Sequence, residues 1–129
     1  MLVVEDNQDA ADTLCECLGL TGHRVEVAYD GKEGLAKARE FRPEVVLCDI
    51  GLPEVDGFEV ARALRQDSTL SAAFLVALTG YARTEDVRRA QLAGFDRHMA
   101  KPPDLEALER LIAEAPAHGT AAGSALWTD

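Results

Sequence analysis

Five short apolar runs alternate along the chain with five segments whose apolar residues recur every three or four positions. Leu2–Val4 reads as a first strand. Asn7 then offers an N-cap, and Ala11, Leu14, Cys15 and Leu18 fall at helical spacing up to Gly22. Arg24–Ala28 is a second strand, and Leu35, Ala38 and Phe41 mark a second helix that Pro43 stops. Val45–Cys48 is a third strand. A loop with Pro53 and Gly57 leads to a third helix carrying Phe58, Ala61 and Leu64. Phe74–Leu78 is a fourth strand. Val87, Ala90 and Leu92 give a fourth helix of weaker periodicity, closed by Gly94. Arg97–Ala100 is a short fifth strand. Asp104 caps a last helix with Leu105, Leu108, Leu111 and Ile112 facing inward. From about Pro116 the chain is rich in Ala, Gly and Thr, so a domain over residues 1–115 is expected, with a frayed tail over 116–129.

Strands alternating with helices imply βαβ units, and hence a parallel sheet covered by helices on both faces. The first, third and fourth strands are continuously apolar, as central strands buried on two sides must be. The second alternates (Arg24, Val25, Glu26, Val27) and the fifth carries Arg97 and His98, so these two are the edges. The expected architecture is an α/β three-layer sandwich with strand order 2-1-3-4-5. That is the order of the flavodoxin-like doubly wound class, whose ligand crevice lies between strands one and three.

Charge narrows the function. The 129 residues carry a formal net charge of −10, which repels a phosphate backbone and argues against direct nucleic-acid binding. No apolar run approaches membrane-spanning length and no secretory signal pattern opens the chain, so a cytoplasmic protein is expected. Cys48 sits in an apolar strand. Cys15 and Cys17 point to different faces of a helix, so the thiols read as reduced and structural rather than as metal ligands. His23 and His118 read as surface residues, and Arg88 and Arg89 as a solvated helix face.

The candidate chemistry lies at the carboxyl ends of the strands, which share one rim in a parallel sheet. Glu5 and Asp6 follow strand one, Asp49 strand three, Thr79 strand four and Lys101 strand five. Each has an ordinary reading when taken alone: Asp6 as a helix cap, Thr79 as a strand end, Lys101 as a surface cation. Together they bring three carboxylates, a hydroxyl and an ammonium to one place. Crowded carboxylates either bind protons or gather a cation. Oxygen ligands favour a hard ion, and Mg²⁺ needs only one or two carboxylates beside water and phosphate oxygens. A carboxylate flanked by such a cation and an ammonium is suited to attack phosphorus and form an acyl phosphate. The Thr79 hydroxyl could donate a hydrogen bond to the arriving phosphoryl group.

The segments Val3-Val4-Glu5-Asp6-Asn7, Val46 to Pro53, Asp56-Gly57, Ala77-Leu78-Thr79-Gly80 and Ala100-Lys101-Pro102 resemble the motif set of bacterial response-regulator receiver domains, in chain order and over about residues 1–115. The resemblance implies a two-component phosphorelay role with Asp49 as phosphoacceptor. It implies Mg²⁺ held by Glu5, Asp6, Asp49 and the main-chain carbonyl of Gly51, and Thr79 and Lys101 contacting phosphoryl oxygens. It implies a cis Lys101–Pro102 bond. The donor would be a phosphohistidine on a histidine kinase or phosphotransfer protein. A downstream partner would be met by the fourth helix, fifth strand and fifth helix, and the domain would assist its own slow dephosphorylation without being an enzyme on other substrates.

Some positions depart from the best-known pattern. Glu5 stands where an Asp is more usual and still supplies a carboxylate. His98 occupies the switch position three residues before the lysine, where many relatives have Tyr or Phe; an ordinary edge-strand histidine is the alternative reading. Gly51 and Tyr81 lie where water access to the phosphate is set. Gly94-Phe95-Asp96 and Asn7 to Asp12 resemble receivers fused to histidine kinases, and the start at Met1-Leu2 agrees with excision from such a protein. Two other functions fit the fold less well. An aspartyl-phosphate phosphatase typically places a second acid two residues after the nucleophile, where this chain has Gly51. A flavin or nucleotide binder wants a first loop rich in Gly, Ser or Thr, where this chain has Glu5-Asp6-Asn7.

Overall fold

The expected alternation is present. The computed structural model describes residues 1–80 and 84–115; Tyr81 and the tail expected from Pro116 lie outside the described residues. The elements are β1 (Leu2–Val4), α1 (Gln8–Leu20), β2 (Glu26–Ala28), α2 (Gly31–Phe41), β3 (Val45–Asp49), α3 (Gly57–Gln66), β4 (Phe74–Thr79), α4 (Thr84–Ala93), β5 (Arg97–Ala100) and α5 (Leu105–Ala113). The strands form one sheet in the order β2-β1-β3-β4-β5, with every pairing parallel. β1, β3 and β4 are buried along their whole length, whereas β2 runs from exposed Glu26 to buried Ala28 and β5 is half-buried except at exposed Ala100.

Alternation along the central strands divides the core in two. Val4, Val46, Cys48, Leu75 and Ala77 pack with Phe58, Ala61, Leu64, Ala90 and Ala93, so α3 and α4 cover one face, and Ala38 brings α2 to the same side. Val3, Leu47, Val76 and Leu78 pack with Leu14, Leu18 and Leu108, so α1 and α5 cover the other. Side-chain caps begin four helices: Asn7, Asp30, Asp56 and Asp104 accept from Ala10, Glu33, Glu59 and Glu106 backbone N–H groups.

The boundaries differ from the pattern reading where neighbouring strands decide them. β2 starts at Glu26 rather than Arg24, because its ladder with β1 begins at Leu2↔Glu26. β3 and β4 each run one residue further, to Asp49 and Thr79, because Leu78 and Ala100 continue their ladders. Three apolar side chains expected inside lie outside. Leu92 is 80% exposed, since α4 meets the sheet through Ala90 and Ala93 instead. Leu105, in the first turn of α5, and Phe41, at the end of α2, are also exposed.

Helix α4 ends in a Schellman motif. Gly94 has φ +115°, its N–H donates to Gln91, and the Phe95 N–H reaches back to Ala90 O at 3.0 Å. A Cβ on Gly94 would lie 2.6 Å from the Arg65 side chain, in a backbone region that L-residues rarely adopt. Gly94→Ala is expected to cost about 1–3 kcal/mol of stability, read from urea unfolding. A midpoint equal to that of the wild type would contradict this account of the turn.

Candidate functional site

Glu5 is fixed by the β1–β2 ladder, since its N–H donates to Ala28 O at 3.0 Å. Its carboxylate is turned inward and only 3% exposed. One oxygen accepts from the Asn7 N–H at 3.1 Å and the other lies 2.8 Å from Lys101 Nζ. Asp49 ends β3 and is 5% exposed. Its Oδ1 accepts from the Gly51 N–H at 2.8 Å and its Oδ2 lies 2.7 Å from the same ammonium. Lys101 arrives from the adjoining edge, where its backbone N–H donates to Thr79 O at 2.8 Å and its peptide bond to Pro102 is cis. Asp6 is exposed beside them, and carboxylate oxygens of Glu5, Asp6 and Asp49 all lie within 4.8 Å of one another. Strand ends far apart in the sequence thus bring these four residues to one rim.

The remaining expected residues stand further back. Thr79 reaches the rim through its carbonyl. Its side chain is fully buried, with the hydroxyl turned toward Met99 O at 3.5 Å, the limit of a hydrogen bond. Gly51 donates its N–H to Asp49 Oδ1. His98 is half-buried in β5 opposite Ala77, outside the carboxylate cluster.

Two residues already singled out in the sequence, Asn7 and Gly57, make contacts that the pattern did not specify. The Asn7 backbone N–H holds Glu5, in addition to the N-cap made by the Asn7 side chain. Gly57 lets α3 begin directly against the end of β3: a Cβ there would sit 2.5 Å from Asp49 O and from Ile50 Cα. The Asp-Gly pair itself was the signal, an N-cap followed by the one residue able to approach that closely.

Burial pushes the Glu5 carboxyl above its usual value, against the opposing pull of Lys101 and of the Asn7 N–H. Burial also pulls at the Lys101 ammonium, but its hydrogen bonds to Asp49 and Glu5 outweigh that, and its pKa is raised. The buried Cys48 thiol, held up by burial and then by the charge of Asp49, is far from forming a thiolate and is chemically quiet. An all-oxygen donor set of three carboxylates fits a hard cation such as Mg²⁺ and not a soft one.

Because the fold holds the Lys101 proton more firmly than the unfolded chain does, its contribution to stability is complete below the ordinary lysine value of about 10.4. It is lost as pH rises through the higher folded value. Removing the ammonium reverses the balance nearer neutrality. In Lys101→Met the buried Glu5 carboxyl loses the ammonium that opposes its burial, and so binds its proton still more readily in the folded state than in the unfolded one. Stability should therefore fall from pH 5 to pH 8 more steeply than in the wild type, as measured by urea unfolding without divalent cation. Parallel pH profiles would contradict the assigned charge balance.

The chain matches the family described as response regulator receiver domain over residues 1–113. It is 33% identical over 102 residues to the polar-differentiation response regulator DivK of Brucella anthropi, covering 79% of this chain and 83% of that protein. It is similar to the Vibrio cholerae chemotaxis protein CheY4, with a TM-score of 0.84, 29% identity, and coverage of 89% of this chain and 96% of that one. It is also similar to a chain in the co-crystal structure of the Saccharomyces cerevisiae histidine phosphotransfer signaling protein Ypd1 and the receiver domain of its downstream response regulator Ssk1. That match has a TM-score of 0.81 and 27% identity, covering 88% of this chain and 86% of that one. Fold, strand order and the family match agree: this chain belongs to the response-regulator receiver-domain family of two-component signalling.

Proposed function

We propose that the domain, over residues 1–115, accepts a phosphoryl group on Asp49 and thereby switches a partner-binding face. The observation that carries this reading is the Lys101 ammonium lying 2.7 Å from Asp49 Oδ2 within a set of three clustered carboxylates. Asp49 is held at both oxygens, by the Gly51 N–H and by Lys101, and so is oriented before a donor arrives.

A carboxylate oxygen of Asp49 forms the new bond to phosphorus. The bond from phosphorus to the donor's imidazole nitrogen breaks, and the electron pair leaves with the imidazole. Lys101 follows the charge from the carboxylates to the transferred oxygens. Glu5, Asp6, Asp49 and the Gly51 carbonyl are the residues that would hold Mg²⁺, which when bound supplies positive charge beside the transferring group. Thr79 gives up only a long hydrogen bond to Met99 O in turning its hydroxyl toward the phosphoryl group. That turn empties space beside β5, where His98 is placed to respond, and α4, β5 and α5 form the face presented to a downstream protein.

The donor is a histidine kinase or histidine phosphotransfer protein, a reading supported by the likeness to the structure containing Ypd1 and the Ssk1 receiver. Asp49 returns slowly to the free acid by hydrolysis assisted within the domain, without turnover of other substrates. Among the described residues no helix is long and apolar enough to cross a membrane. We place the domain in the cytoplasm, where the donor's phosphohistidine would be met.

Incubation with a small acyl-phosphate donor and Mg²⁺ should add one phosphoryl group by intact mass, none in Asp49→Asn, and about 10²-fold more slowly in Lys101→Ala. An unchanged wild-type mass, or an adduct that survives Asp49→Asn, would contradict the assignment. Mg²⁺ should raise the thermal midpoint of the wild type, by linkage to the folded state. The increase should vanish in Asp6→Ala while the fold is retained. An equal increase in both proteins would remove Asp6 from the ligand set.

A further inference from the structure

Helix α4 is anchored very unevenly along its length. Among its described side chains the buried ones, Ala90 and Ala93, lie in its carboxyl-terminal half. Toward the amino end Glu85 is exposed and Asp86 and Val87 are half-buried, and at mid-helix the Arg89 guanidinium rests on the Phe58 ring of α3, 4.2 Å from its centroid. Such a contact at an exposed site contributes only about 0.5–1 kcal/mol.

The other end is tied down by a different order of bonding. The Schellman turn closes α4, and Phe95 beyond it is buried. Asp96 N–H then donates to Leu75 O at 2.7 Å, and Asp96 Oδ2 accepts from Leu75 N–H at 2.9 Å, joining the turn to β4. Arg65 of α3 gathers the whole junction. Its Nε donates to Gly94 O at 2.8 Å, one terminal nitrogen donates to Ser71 O and Ala73 O, each at 2.7 Å, and the other meets Asp96 Oδ2 at 2.8 Å. The guanidinium fork therefore satisfies three carbonyls and a carboxylate from two loops at once, which a point-charge ammonium cannot do.

We propose that α4 is a lever hinged at its carboxyl end, with Arg65 as the hinge pin and Gly94–Asp96 as the pivot. The helix swings its amino end away from α3, and the junction with β4 and β5 stays in place. Arg65 is a positioning residue: it acts through the Gly94–Asp96 turn and touches nothing at the acidic rim. The hinge deepens the switching role given to α4 above and rests on that reading for its purpose, but it can be tested without phosphorylation.

The test is native-state amide exchange on the unphosphorylated chain. The Arg88 and Arg89 amides should exchange at least 10-fold faster than those of Phe95 and Asp96. In Arg65→Gln the Phe95 and Asp96 amides should come down to the level of Arg88 and Arg89, with α1 and β3 amides unchanged relative to each other. Arg65→Lys, which keeps the charge and loses the fork, should behave like Arg65→Gln and covers the case in which the glutamine variant does not fold. Equal protection at both ends of α4 in the wild type, or full protection of the turn in Arg65→Lys, would overturn the hinge. After acyl-phosphate treatment, the same sample's intact mass reports separately on Asp49. A missing adduct counts against the acceptor site alone, and the unmodified protein's exchange pattern still decides the hinge.

Discussion

Lys101 stands between two carboxylates that water barely reaches, and the rest of the site is arranged around that ammonium. Nζ lies 2.8 Å from Glu5 and 2.7 Å from Asp49, each buried at the end of a different strand. Burying two like charges together is costly unless a counter-charge is held in good geometry and the remaining lone pairs are satisfied. Both conditions are met, since the Asn7 and Gly51 backbone N–H groups take the other oxygens. With Asp6 added, one ammonium faces three carboxylates, so the rim still lacks positive charge. A divalent cation corrects that deficit. In the proposed transfer an incoming phosphoryl group would give the ammonium a new partner.

The fold exists to make that meeting possible. Central strands buried on both faces fix β1, β3 and β4 side by side, and a parallel ladder puts their carboxyl ends on one rim. Lys101 is delivered by β5 and steadied by its N–H on Thr79 O. Gly57 lets α3 start against the backbone of Asp49 and Ile50, and Asp56 caps that start. The backbone at Asp49 and the start of α3 are therefore in direct contact. From there the stacking of Arg89 on Phe58 reaches α4.

Much of this was legible in the residues. Continuous apolar runs identified the central strands, polar intrusions identified the edges, and strand-end placement brought Glu5, Asp6, Asp49 and Lys101 together before any coordinates. What escaped depends on neighbours rather than on the chain's own pattern. Leu92 fits a helical stripe, but α4 approaches the sheet through small alanines and leaves it outside. The resting direction of the Thr79 hydroxyl, toward a carbonyl of β5, is likewise outside the chain's own pattern. The inward turn of Glu5 depends on a backbone N–H two residues away. The Arg65 junction joins residues of α3 and two loops that no single periodicity connects.

The central claim is that the carboxylate facing Lys101 becomes an acyl phosphate. Treatment with acyl phosphate and Mg²⁺ followed by borohydride reduction converts a phosphorylated aspartate to homoserine, which peptide sequencing by mass spectrometry can place. The account predicts homoserine at position 49 alone, and none when Mg²⁺ is chelated. Homoserine at another aspartate, or labelling indifferent to the metal, would contradict it.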